Sequence, residues 1–263
     1  MRIVTTTVKF WGTGDSMGVP RVYCDCAVCA EARSMGGTNR RLRSSVQVTD
    51  DNFGTLLIDC GPDWRAQMEA AGLRRIERML LTHAHFDHIG GLAEWADMCR
   101  WLDFTGEAYA MPGTIEEINT RFPWIGRNIR FIPIDGSLRL GGWSIDCWKV
   151  NHGDNGFAYA FRFADRTNGK AWAYCPDSIL LTEEQQRPLR GLDLLVLGTS
   201  FYNEPFPLHT RSVYDVCEAL ELLKDWKPGR TVFTHMSHDI DLRCDYGLPD
   251  NVRFAVAGLT LEV

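Results

Sequence analysis

The sequence predicts an α/β protein in which two sheets stack face to face and helices cover their outer faces. Three observations predict it. Short β-type runs alternate with amphipathic helical runs in two successive halves, a pattern that suits helices outside two packed sheets. The 263 residues are 45% hydrophobic and 11% aromatic, enough for a sizeable core, and residues 1–263 read as a single domain. Metal-ligand residue types sit where apolar runs end, first of all in Leu80-Leu81-Thr82-His83-Ala84-His85-Phe86-Asp87-His88-Ile89-Gly90-Gly91.

Charge and composition narrow the function classes. A net charge of −6 makes non-specific nucleic-acid binding an unfavoured role, yet leaves room for a local basic pocket. The one basic cluster, Arg40-Arg41-Leu42-Arg43, reads as solvated surface. No apolar run reaches the roughly 20 residues that cross a bilayer. Residues 1–11 lack a secretory pattern, so a cytoplasmic protein is expected. The 9 cysteines are an odd number, and a reducing compartment disfavours a disulfide framework. Metal binding then explains clustered thiols best.

Residues 3–11 alternate as a strand and run into Gly12-Thr13-Gly14-Asp15-Ser16-Met17-Gly18. These glycines have the wrong spacing for a dinucleotide fingerprint, and cysteines follow where a helix should open. Close backbone approach is the better reason for them. Cys24, Cys26 and Cys29 then stand at C-x-C-x-x-C spacing, close enough to bind one soft ion with a fourth ligand from elsewhere. Residues 43–48 and 55–58 read as paired strands around an Asp50-Asp51-Asn52 turn. Pro62 opens a helix that ends at Gly72. Asp59, just before it, suits either a helix cap or a partner that fixes the tautomer of a ligating histidine.

Residues 78–81 form the strand that delivers the histidine loop. His83 and His85 can point the same way because side chains repeat every second residue, and Asp87 and His88 lie past the bend. The set suits two metal ions a few Å apart with an open position for water. Helices are expected over 92–101 and 112–121, with β runs at 109–111, 129–134, 138–140 and 143–150. The aromatic stretch 122–124 fits either cover over a site or plain packing. His152 follows the last of these strands and is placed to reach a site at the sheet's end. A hairpin spans 157–163 and 170–174 and leads to Asp177, which could bridge two cations or cap a helix beginning near 181. Residues 194–197 read as a buried strand. A helix is expected from His209 to 226, with His209 at its positively polarised start. The strand 231–234 ends in His235 and His238, which can serve two different sites.

The H-x-H-x-D-H run resembles the signature of the metallo-β-lactamase superfamily. The chain as a whole resembles its phosphodiesterase branch, in particular the phosphoribosyl 1,2-cyclic phosphate phosphodiesterases of phosphonate breakdown. That resemblance implies a metallo-β-lactamase-like αββα sandwich. It implies one ion held by His83, His85 and His152, a second by Asp87, His88 and His235, and Asp177 between them. Asp177 is usually flanked by Ser and Thr, whereas here Pro176 precedes it and Ser178 follows. The resemblance completes the cysteine trio with His238 as a structural zinc site. It gives catalytic roles to Asp87 and to His209, the latter contacting phosphate or protonating the leaving oxygen. The implied reaction is hydrolysis of a small phosphodiester, a cyclic ribose phosphate above all, by a bridging hydroxide. Manganese or zinc would serve, and iron is compatible with the same ligands. A homodimer is implied as well. Two other members with the same loop remain open: the pyrroloquinoline quinone biosynthesis protein, as an iron-dependent oxidoreductase, and the transfer-RNA 3′-processing nuclease.

Overall fold

The two halves of the chain repeat one strand pattern, antiparallel at one end of a sheet and parallel at the other. The computed structural model describes residues 6–34 and 36–263. Its strands are β1 (Thr6–Gly12), β2 (Ser45–Asp50), β3 (Gly54–Ile58), β4 (Arg78–Leu80), β5 (Gly106–Ala110), β6 (Ile129–Pro133), β7 (Ser137–Leu140), β8 (Trp143–Asn151), β9 (Phe157–Asp165), β10 (Ala171–Cys175), β11 (Leu194–Gly198), β12 (Arg230–Thr234), β13 (Val252–Phe254) and β14 (Thr260–Glu262). One sheet has the order β14-β1-β2-β3-β4-β5-β6 and the other β13-β12-β11-β10-β9-β8-β7. β3 to β6 run parallel, as do β10 to β13. Of the strand expected from residue 3, residues 3–5 lie outside the described residues.

The helices are α1 (Ala27–Arg33), α2 (Trp64–Ala71), α3 (Phe86–Ile89), α4 (Leu92–Trp101), α5 (Pro112–Arg121), α6 (Glu183–Gln186) and α7 (Val216–Trp226). Strand alternation sorts the apolar residues into layers. Val8, Phe10, Val46, Val48, Leu56 and Ile58 point inward and meet Trp143, Phe161, Phe163, Trp172 and Val196 of the second sheet. Phe163 and Trp172 stack with ring centroids 4.0 Å apart. Leu57, Met79 and Leu81 point the other way, beneath α2 and α4. Leu195, Leu197 and Phe233 pack with Val216, Ala219 and Trp226 of α7 on the opposite outer face. Each layer removes large aliphatic and aromatic side chains from water, at roughly 25 cal/mol per Å² of apolar surface. This is the expected αββα sandwich.

Three sequence expectations need correction. The helix expected from His209 begins at Val216 instead. Asp215 is its N-cap: the Glu218 N–H donates to Asp215 Oδ1 at 2.8 Å, and the Asp215 N–H donates to Glu218 Oε2 at 3.2 Å. This capping box outcompetes a start at 209, and His209 sits exposed on the short 3-10 turn Leu208–Thr210. The helix expected near 181 starts at Glu183 behind the Thr182 cap, which removes capping as the role of Asp177. The basic run is not solvated surface throughout. Arg41 is buried and donates to the carbonyls of Ser237 and Ile240, while Arg43 pairs with Asp63 at 3.1 Å. Of the aromatic stretch, Phe122 packs against the apolar layer under α4 and α5, and Trp124 is 40% exposed.

Candidate metal centre

The parallel strands of both sheets end at one edge, and their carboxyl ends present the polar residues of the site. β3 leads to Asp59, β4 to His83, β10 to Asp177 and β12 to His235. β8 runs in the same direction as β10 and ends before His152. Tight backbone packing makes this convergence workable. A Cβ on Gly61 would meet the Asp87 carbonyl oxygen at 2.2 Å, and one on Gly153 would meet that of Arg211 at 2.1 Å. Glycine is therefore required where the histidine loop and the loop after His152 are pressed against their neighbours. His235 itself has φ of 59°, a left-handed conformation uncommon for a side-chain-bearing residue.

Three sets of ligand atoms form, each with all atoms within 4.8 Å of one another: His83, His85 and His152; His83, His88 and Asp177; and Asp87, His88 and His235. His83 Nε2 and His85 Nδ1 are 2.8 Å apart. Asp177 Oδ2 lies 2.9 Å from His88 Nε2 and 3.8 Å from His83 Nε2, and its Oδ1 lies 3.1 Å from His235 Nε2. The carboxylate thus stands between the two histidine groups. Both its oxygens, and His88 Nε2, are buried with no hydrogen-bond partner among the described residues. Orphaned acceptors at the convergence of five imidazoles fit a pair of cations, because such burial is otherwise costly.

The outer nitrogens of His83, His88 and His152 are held by neighbours, whereas His235 Nδ1 is buried without a partner among the described residues. The Ser212 carbonyl accepts from His152 Nδ1 at 2.7 Å, so in the neutral tautomer Nε2 is the nitrogen left to act as a ligand. His88 Nδ1 donates to Asp59 Oδ2 at 2.7 Å. The Thr82 hydroxyl donates to Asp59 at 3.0 Å and accepts from His83 Nδ1 at 3.0 Å. Asp59, fully buried at a left-handed turn with φ of 65°, therefore orients two imidazoles and also accepts from the Thr82 N–H at 2.9 Å. That settles the choice between cap and partner in favour of the partner. Burial pushes the His83 imidazolium well below its ordinary range, so it sits neutral as a ligand must. Burial alone would raise Asp177, but His235 and His88 outweigh it and keep the carboxyl ionised.

A second cluster stands on the loop before α1. Cys24, Cys26 and Cys29 place their sulfurs 3.3, 3.4 and 3.4 Å from His238 Nδ1. The four form a ligand set of the tetrahedral S₃N type. Cys29 is buried and Cys26 exposed, and all 9 cysteines are free of disulfides. Arginines surround the thiols. Arg41, 2% exposed, has no carboxylate within ion-pair distance among the described residues, and two of its guanidinium nitrogens are unpartnered. Burial draws it down to about 10. A buried guanidinium in that setting fits an anionic metal–thiolate group beside it.

The fold brings together all the residues that the sequence offered as metal ligands. It leaves His209, expected to act on the substrate, exposed, while the neighbouring Thr210 to Val213 line a cavity of about 220 Å³ over the centre. Sequence reasoning also missed Asp15, Arg21, Glu204 and Arg211 on the cavity wall. Only the turn glycines around Asp15 hinted at such a place.

Residues 55–236 match the family model described as the beta-lactamase superfamily domain. An octanoyltransferase of Porphyromonas gingivalis is 25% identical over 260 residues, covering 94% of this chain and 50% of that protein. The chain likewise spans about half of a Bradyrhizobium diazoefficiens ribonuclease Z, 48% of its length. The coenzyme PQQ synthesis protein B of Methylorubrum extorquens is 32% identical over 275 residues, 88% of this chain and 89% of its own. The crystal structure of a diphosphatase from the PhnP family superposes with a TM-score of 0.85 at 30% identity, over 99% of this chain and 98% of that one. Fold, ligand clusters and these likenesses together support a metal-dependent hydrolase. The chain belongs to the metallo-β-lactamase superfamily.

Proposed function

We propose that the protein is a dinuclear metal-dependent phosphodiesterase acting on a small phosphodiester, with a cyclic ribose phosphate as the leading substrate class. The observation that carries this reading is Asp177, whose two oxygens are buried and unpartnered among the described residues: Oδ1 lies 3.1 Å from His235 Nε2, and Oδ2 lies 2.9 Å from His88 Nε2 and 3.8 Å from His83 Nε2, so the carboxylate reaches both histidine groups. His83, His85 and His152 would hold one cation, and Asp87, His88 and His235 the other. Two divalent cations would supply charge neutralisation for phosphate oxygens and bring a shared water toward a pKa of about 7 in favourable cases. Manganese, zinc or iron suits these ligands, and zinc suits the cysteine site with His238.

The protein's own groups define the rest. Asp87 lines the cavity together with Asp177 and is the more exposed of the two, and its oxygen lies 3.1 Å from His88 Nε2 and 3.4 Å from His235 Nε2. It is the group best placed to orient an attacking water and accept its proton. Serine, cysteine and lysine nucleophiles are not needed. The likeness to a PhnP-family diphosphatase supports a phosphorus-centred substrate. Free thiols throughout fit a reducing, cytoplasmic setting. Among the described residues no helix is long and apolar enough to cross a membrane.

The test is metal analysis of purified protein with a diester panel that includes bis(p-nitrophenyl) phosphate. Two ions per chain beyond the cysteine-bound one, with metal-dependent diester cleavage, are expected. Bound iron with oxygen consumption and no diester cleavage would replace this reading with an oxidoreductase, the alternative that the likeness to the PQQ synthesis protein keeps in view.

A further inference from the structure

Residues Arg211 to Asp215, just before α7, belong to no strand or helix. Yet this segment is hydrogen-bonded to the loops of three ligand residues. The Ser212 carbonyl accepts from His152 Nδ1 at 2.7 Å. The Tyr214 N–H donates at 3.0 Å to the carbonyl of Ser178, which follows Asp177, and the Tyr214 hydroxyl accepts from the Leu181 N–H at 2.9 Å. The Tyr214 carbonyl accepts from the Ser200 N–H at 3.1 Å. Ser200 in turn accepts, at its carbonyl, from the N–H of Ser237, two residues past His235, at 2.8 Å. One short segment thus ties together His152, Asp177 and His235, which follow three different strands. Arg211 holds the segment itself. Its side chain, 5% exposed, lies 3.2 Å from Glu204 and 3.3 Å from Asp215, and it also bonds Glu218. Asp215 caps α7 and accepts from the Glu204 N–H at 3.0 Å, which closes the network. On the opposite side the Arg211 carbonyl lies so near Gly153, the residue after His152, that a Cβ there would meet it at 2.1 Å. A planar fork of donors on three carboxylates fixes direction as well as distance, which a single ammonium cannot do. Without the guanidinium, buried carboxylates would lose their counter-charge and the segment its anchor.

We infer that Arg211 is a positioning residue of the metal centre: through the Ser212 carbonyl it sets the ring of His152, and through Tyr214 the loop of Asp177, and so it governs affinity for the ion that His83, His85 and His152 would hold. This rests on the dinuclear reading above and concerns how the chain builds that centre. In this role Arg211 acts only through other residues and touches no reacting atom.

The test is competition for zinc between the protein and a chromophoric chelator, in wild type, R211M and R211K. The cysteine-bound ion is the internal reference, since its ligands make no hydrogen bond to residues 211–215 among the described residues. In R211M one of the other two ions should be held about 10–100-fold more weakly, the loss that follows when the support of a ligating histidine is removed, while the reference ion keeps its affinity. The zinc concentration for half-maximal cleavage of bis(p-nitrophenyl) phosphate should rise by the same factor, with kcat at saturating zinc within about tenfold of wild type. R211K keeps the charge without the fork and should fall between the two. Wild-type affinity for both ions in folded R211M or R211K would overturn the inference. Equal weakening of all three ions would also overturn it, because it would reduce Arg211 to general stability. If R211M does not fold, the same comparison in R211K decides. Wild type that binds no ion beyond the cysteine-bound one defeats the dinuclear reading and this inference with it. Two further ions in wild type, bound alike by the folded variants, defeat this inference alone.

Discussion

The two ligand clusters of this protein are built in opposite ways. The histidine–carboxylate centre draws one residue or one short loop from the ends of β4, β8, β10 and β12, so it exists only when both sheets are formed and stacked. Its atoms are nearly all buried. The cysteine cluster takes three of its four groups from six consecutive residues, and its Cys26 is exposed. The two meet through one segment, since His235 and His238 are three residues apart and the Met236 N–H donates to the Thr13 carbonyl at 2.8 Å. A centre assembled by the whole fold has its geometry fixed before any ion arrives, and its ligands can be chosen for chemistry. A centre assembled by a loop has to bring order to that loop, and its ion contributes to stability. Substitutions in the first should strike turnover with little loss of fold, and those in the second the reverse.

The largest expected effect follows from Asp177, the group that stands between both halves of the deeper centre. D177N should lower kcat by more than about a thousandfold, since several kcal/mol of charge stabilisation depend on the bound ions. Elemental analysis should find fewer ions per chain with circular dichroism unchanged. Near-normal turnover in D177N would end the claim that this centre is the catalyst. D59N comes next. It leaves every ligand in place but removes the charge that orients His88 and Thr82, so a loss of about 10–100-fold in metal affinity or turnover is expected. C26S reverses the balance. One ion per chain should be lost, and Tm should fall by roughly 5–10 °C, the response of a domain of this size to about 2–3 kcal/mol. Turnover at 25 °C should fall by less than about tenfold. A thousandfold loss in C26S would mean that the loop site and the deeper centre are one functional unit, and the contrast drawn above would collapse.

How much of this was legible in the chain follows the same division. The H-x-H-x-D-H loop and the C-x-C-x-x-C loop are local, and their residue types and spacings declare themselves. Asp177, His152 and His235 were legible because each follows an apolar strand, and strand ends of a parallel sheet share one edge. Arg41 was misread because a basic run on paper says nothing of which member turns inward; Arg41 is buried against the carbonyls of Ser237 and Ile240, while Arg40 is exposed. The start of α7 was misread because apolar spacing continued back to Val213, which is buried as part of an irregular segment and not of the helix. The Asp215-to-Glu218 capping signature was present and was the stronger signal. Asp15, Arg21, Glu204 and Arg211 were not legible beyond the hint of the turn glycines around Asp15. Each pair is close in the chain, Asp15 with Arg21 and Glu204 with Arg211, but both lie in irregular segments, where no periodicity reports which side chains turn toward a cavity.

The smallest expected effect concerns His209. The family resemblance gives a histidine near this point a role at the substrate phosphate. Here its imidazole is exposed, while Thr210 and Arg211 turn toward the cavity. Arg211 fixes this arrangement, because its ion pairs with Glu204, Asp215 and Glu218 tie the segment on both sides of the 3-10 turn. Swinging His209 inward would have to break contacts of a buried guanidinium, which are costly to lose. H209A is therefore expected to lower kcat by less than about tenfold at unchanged metal content, below the 10²–10⁴-fold that a general acid typically supplies. The diagnostic measurement is turnover on two diesters whose leaving alcohols differ widely in acidity. A proton donor is needed far more for the poor leaving group, so H209A should slow both substrates alike. A hundredfold loss confined to the poorer leaving group would place His209 over the reacting phosphate during turnover, and would require the turn Leu208–Thr210 to close on bound substrate despite the ion pairs that hold it.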